Sequence, residues 1–237
     1  MKAFPNPRTI RPIVMMVAIS LVISATSPGS LLSRYAQRTL GLLYTGAYEE
    51  AEEYGEQVLS YGIEDADVAA AVIDAEMALG KYEEAADTAS NTSETFESYI
   101  PMQLKAIDAL RAAGREEEVR EMLEGLDALA KTLNPKALSS RELAALGSAA
   151  LLLGAEPKMV HSEFFQKSRR ADPENLEAAL AGGQLAIDKG DYALAARILG
   201  EARNEIGPMP DILHLLARAH SPSDRVKAEE LIDLALD

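Results

Sequence analysis

The chain is 237 residues long, 48% hydrophobic and only 5% aromatic, and it has no cysteine, so disulfides, thiolate metal sites, cysteine nucleophiles and a lipid-modified cysteine are all excluded. Its formal net charge is −15, and no basic cluster stands ready to release counterions from a phosphate backbone, which excludes nucleic acid as the expected partner. The acid excess reads first as a solvated face that keeps a long helical surface soluble.

Lys2, Arg8 and Arg11 come first, with no acid among the first thirty residues. An apolar run of 13 residues follows, from Ile13 to Ala25, and then the small or polar Thr26, Ser27, Pro28, Gly29 and Ser30. Basic, apolar, then small is the order of a secretory signal. A stable membrane-spanning helix needs about 20 apolar residues, so residues 1–25 are expected to be cleaved after Ala25, with 26–30 as a linker. An uncleaved anchor and a buried core helix are the competing readings. Pro12 and Pro28 bracket the run and isolate it from a following helix.

Beyond the linker, alanine and leucine are abundant and no alternating β-branched runs occur, so the class is all-α. A phrase then recurs: Gly46-Ala-Tyr48-Glu-Glu-Ala51, Gly80-Lys-Tyr82-Glu-Glu-Ala85 and Gly190-Asp-Tyr192-Ala-Leu-Ala195. Gly114 to Val119 is a worn copy, with Glu116 in place of tyrosine, and Gly154 to Met159 is more degraded. The five glycines are spaced 34, 34, 40 and 36 residues apart, and a sixth copy runs from Ser223 to Ala228. Helix pairs are expected at about 31–61, 66–94, 98–132, 139–170, 174–206 and 210–236, with an extra half-turn near Leu133 to Ser140.

A period near 34 carrying this phrase resembles the tetratricopeptide repeat, and the resemblance spans residues 31–237. It implies a right-handed solenoid of about six antiparallel helix pairs, each with a first helix A and a second helix B. The glycine then sits in the A–B turn, the aromatic opens helix B, and the alanine lets the two helices approach. Asp172-Pro-Glu-Asn175 is similar to the family's inter-repeat turn, and Gly183 to its small residue against a neighbouring helix. The missing tryptophan is a departure. One pair alone buries too little apolar surface, so stability is expected from stacking into one body.

The resemblance also implies a ligand groove along the inner face of the A helices. That places Ala36, Leu40 and Leu43 there, then Ala70, Asp74 and Met77, then Leu104, Lys105, Asp108 and Arg111. Ser148, Leu151, Gln184, Ile187, His214 and Arg218 complete the lining. Apolar strips between isolated charges suit an extended or helical peptide held by a few apolar anchors, while the competing reading makes many of these residues inter-repeat core. One subgroup of the family clamps a terminal carboxylate with lysine, arginine and asparagine. Here the corresponding positions are Ala36, Leu40, Ala71, Pro101 and Lys105, of which only the last fits.

No catalytic, cofactor or metal residue is expected. His214 and His220 are six apart and fall on different helix faces, and His161 stands alone in the sequence. Glu49, Glu50, Glu52 and Glu53 read as a solvated outer face at a helix start. At the far end, Arg225 to Asp237 is an amphipathic helix expected to leave Leu231, Ile232 and Leu234 uncovered by this segment, so that either a partner covers them or the chain continues. The functional expectation is a non-enzymatic scaffold binding a protein or peptide outside the cytoplasm, without a small-molecule cofactor. The alternatives are the recognition region of a larger exported enzyme and a membrane-tethered assembly factor.

Overall fold

The computed structural model describes residues 28–236, and the signal reading of residues 1–25 lies outside them. The described residues divide into two compact units, one ending at Thr95 and the other beginning at Phe96. The first contains α1 (Pro28–Tyr44), α2 (Tyr48–Ser60), α3 (Ala66–Ala78) and α4 (Tyr82–Thr95). The helix thus begins at Pro28, inside the stretch expected as a linker, with proline in the first turn, where its missing N–H costs nothing.

The second unit contains α5 (Ile100–Ala112), α6 (Glu116–Thr132) and α7 (Ser140–Leu152). Then α8 (Pro157–Val160) runs through a π-helical turn, His161–Phe165, into α9 (Gln166–Ala171). It ends with α10 (Leu176–Asp188), α11 (Tyr192–Ile206), α12 (Pro210–His220) and α13 (Arg225–Leu236). No strand occurs among the described residues; the fold is an all-α helical repeat in which each helix packs on its pair-mate and each A helix on the next A helix of its unit.

Each of the first five A–B turns is closed in the same way. The Gly80 N–H donates to the Met77 carbonyl at 3.1 Å and the Lys81 N–H to the Glu76 carbonyl at 2.9 Å, which satisfies two orphan carbonyls of α3. The second bond recurs as Ala47 to Leu42, Arg115 to Leu110, Ala155 to Ala150 and Asp191 to Ala186. This closure places the glycine in the left-handed region, with φ of 76° at Gly80. An added Cβ there meets no atom within 4 Å, so the cost of a side chain is that of the backbone alone. Gly80→Val is expected to lower stability by about 1–2 kcal/mol, read as a lower urea midpoint; an unchanged midpoint would show that the turn does not depend on positive φ. The sixth turn has no glycine. Instead the Ser223 and Asp224 amides both donate to the His220 carbonyl, at 2.9 and 2.8 Å, and the Asp224 carboxylate accepts from the Lys227 N–H at 3.1 Å.

Ala51, Ala85, Ala195 and Ala228 are all buried. Where the helices come closest, glycine is required on steric grounds: a Cβ on Gly183 would sit 2.7 Å from Leu199, and one on Gly55 would sit 2.3 Å from Val72. The start of the fifth A helix is pinned by a buried polar network. Asn175 accepts from the Ala178 N–H at 2.9 Å as the N-cap of α10, and its amide donates to Ser140 Oγ at 2.6 Å and Ser168 Oγ at 3.0 Å.

The fourth pair departs from the expected register. Its A–B turn, Leu153 to Glu156, is one residue longer than the three-residue turns of pairs one, two, three and five. Consequently Met159 is exposed, and Val160, one residue later, takes the buried position expected of Met159. Val160, Phe165 and Ser168 are buried at spacings of five and three, where Ala51, Gly55 and Val58, and again Ala195, Leu199 and Ala202, have four and three. The π turn supplies that additional residue. Together the two insertions account for the 36-residue spacing between Gly154 and Gly190 against a period of 34. A second correction concerns the last helix: Leu231 is buried in the core with Leu213 and Leu216, and only Ile232 and Leu234 of the three named residues are exposed.

Candidate functional site

Within the second unit, α5, α7, α10 and α12 pack successively against one another. The ninth residue of each is Asp108, Ser148, Gln184 and Arg218, because the four helices begin at Ile100, Ser140, Leu176 and Pro210. A residue at the same helical phase on each of four stacked helices forms a row across them. The row is joined by contact at one end, where Arg218 Nη1 donates to Gln184 Oε1 at 2.6 Å across 34 residues of sequence. Gln184 in turn donates to Asp188 on its own helix at 2.5 Å, and Arg111 lies 4.0 Å from Asp108.

Asp108, Arg111, His214 and Arg218 are exposed, and Leu104, Lys105, Ser148, Leu151 and Gln184 are half-buried, so these residues offer surface to a ligand. Ile187 does not: at 9% exposure it packs in the core with Leu199, Leu213 and Leu216, one turn below the row. In the first unit Leu40 and Leu43 on α1 and Asp74 and Met77 on α3 are half-buried, on two helices that pack together.

The opposite side of the second unit carries a feature that the repeat phrase did not signal. A cavity of about 250 Å³ lies between the π turn with α9 and helix α11, over Ala178 and Gly182 of α10. Arg169 reaches Glu205 with Nη2, while its Nη1 is buried without a hydrogen-bond partner. Arg197 is 3.3 Å from Glu201 on the rim. Burial, aided by Arg197, holds His161 below the ordinary imidazole range, favouring its neutral form. The chain signal for this feature is the two-residue excess between Gly154 and Gly190.

Among the described residues one group of acids has the spacing a cation needs. Glu52 and Glu56 on α2 and Glu76 on α3 each offer a carboxylate oxygen, all within 4.8 Å of one another. This corrects the reading of Glu52 as part of a solvated outer face: its side chain is 13% exposed and bonded to Lys81 Nζ at 2.6 Å, while Glu49, Glu50 and Glu53 remain exposed.

No family model matches the sequence, and no curated protein is found similar to it. Solved structures do match. The APC/C hetero-tetramer Cut9–Hcn1 matches with a TM-score of 0.55 and 16% identity over 85% of this chain and 39% of that one. Human IFIT1, a dimer with PPP-AAAA, matches with a TM-score of 0.54 and 15% identity over 80% of this chain and 46% of that one. YrrB, a TPR protein with an unusual peptide-binding site, is similar at a TM-score of 0.39 and 17% identity over 77% of this chain and 91% of that one. At these identities the likeness is one of fold, an all-α helical repeat.

Proposed function

We propose that the chain is a non-enzymatic scaffold that binds a peptide or an extended segment of another protein along the A-helix face of its second unit, and that it acts outside the cytoplasm. The observation that carries the binding reading is the Arg218–Gln184 hydrogen bond, which joins equivalent positions of successive A helices on a surface of half-buried leucines and exposed charges. Such a surface offers apolar anchoring through Leu104 and Leu151, and directional contacts through Asp108, Ser148 and Arg218. Export is supported by the basic, apolar, small order of the first thirty residues.

A displayed random-peptide library selected on the full chain is expected to enrich one consensus. Ser148→Arg combined with Gln184→Arg should then weaken that peptide at least about tenfold, by adding bulk and charge on the row. No enrichment, or equal affinity in the double variant, would place binding elsewhere or nowhere. For export, the intact mass of the protein recovered from its host is expected to correspond to a chain starting at Thr26, and an uncleaved, membrane-fractionating chain would favour the tethered assembly factor.

A further inference from the structure

We propose that Glu52, Glu56 and Glu76 form a calcium site in the first unit, with Glu76 as its buried ligand and Lys81 as the ammonium that an arriving ion displaces from Glu52. The argument begins with an irregularity in the repeat. Four residues before the turn glycine, the other pairs carry Leu42, Leu110, Ala150 and Ala186, all apolar, whereas the second pair carries Glu76. The helix needs only an apolar filler there, so the carboxyl is a desolvation cost that packing does not explain.

The surroundings leave that carboxyl half satisfied. Thr88 Oγ1 of α4 donates to Glu76 Oε1 at 3.0 Å, while Oε2 is buried without a hydrogen-bond partner in a residue only 2% exposed. Facing it from α2 are Glu52 and Glu56, one turn apart and therefore on one side of that helix. From the α3–α4 turn comes Lys81, bonded to both oxygens of Glu52 at 2.7 and 2.6 Å. One ammonium against three carboxyls leaves an excess of acid at the place where the buried oxygen lacks a partner.

The donor set is all oxygen, with neither sulfur nor imidazole, which selects a hard cation over zinc or copper. Ligands to calcium lie about 2.3–2.6 Å from the ion, so two of them on opposite sides are separated by about 4.8 Å. The three oxygens, all within 4.8 Å of one another, are close enough to share one such ion, and three carboxylates without a phosphate suit calcium, since magnesium dehydrates reluctantly and is seldom held by an all-protein set. Lys81 is 43% exposed, so its head group is free to swing into water once an ion replaces it.

The test is calorimetric titration of calcium chloride into the chelator-stripped full chain, repeated with magnesium chloride. One calcium per chain is expected, tighter than magnesium. Glu56→Gln, at an exposed position that leaves packing intact, and Glu76→Gln should each weaken calcium at least about tenfold through loss of ligand charge. Lys81→Gln should tighten it, because the competing internal cation is gone, whereas a merely structural Lys81 would leave the affinity unchanged or lower it. No saturable heat with calcium, or binding that Glu56→Gln keeps in full, would overturn the site and show only diffuse screening of an acidic surface.

Discussion

Phe165→Ala is expected to destabilise the second unit by about 3–5 kcal/mol, a larger loss than any other single truncation proposed for this chain. Phe165 heads the fully buried side chains by volume, at 1% exposure. Its ring occupies a space that Gly147 of α7 keeps open, where a Cβ would lie 2.9 Å from Phe165 Cε1, while on the other side Gly182 of α10 lies against Phe165 with room for an ordinary contact. Flat helix surfaces on two sides cannot collapse into the hole left by a missing ring, so both the transfer and the cavity contributions are lost. Phe164 is the internal control. It also presses on Gly147 but is only half-buried, so Phe164→Ala should cost distinctly less. Urea unfolding of the two variants, followed by helical circular dichroism, gives the comparison. Equal losses, or a smaller one for Phe165, would mean that the π turn does not set the phase of this helix.

That control also locates what could be read from the chain before its structure. The turn glycines and their alanine partners were legible because each carries a local physical demand, positive φ in one case and close helix approach in the other. So was the phase of the A helices, since fixing a helix start fixes which residues share a face, and Gln184 and Arg218 do meet. The fourth pair is not legible in detail: counting from Gly154 points to Met159, but a turn one residue longer brings Val160 to the core instead, and the π turn after it shifts the later core residues again. Ile187 lies in the core instead because it sits at the edge of the helical face, where groove and core adjoin. Glu52 departs from the outer face because a run of acids is uniformly solvated only in sequence, and the fold brings Lys81 beside one member of it.

Glu76 carries the other large expectation, in the opposite direction. Burial, with Glu52 and Glu56 adding repulsion against the lowering effects of Thr88 and Lys81, raises its carboxyl from 4.5 to about 7. A raised carboxylate pKa means that the folded state holds the proton more tightly than the unfolded chain does. Stability is therefore undiminished below about pH 4.5, falls as pH rises through the interval up to about 7, and has lost the full amount above it. The difference corresponds to roughly 3 kcal/mol at pH 8. Glu76→Gln keeps the shape and the acceptor for Thr88 and offers an N–H toward the neighbouring carboxylates, so it is expected to stabilise the first unit by up to about that amount at pH 8 and to leave it nearly unchanged at pH 4.5. The measurement is urea unfolding of both proteins at the two pH values with a chelator present, which keeps any bound calcium from masking the repulsion. A variant no more stable than the parent at pH 8 would mean that Lys81 and Thr88 already compensate the buried charge.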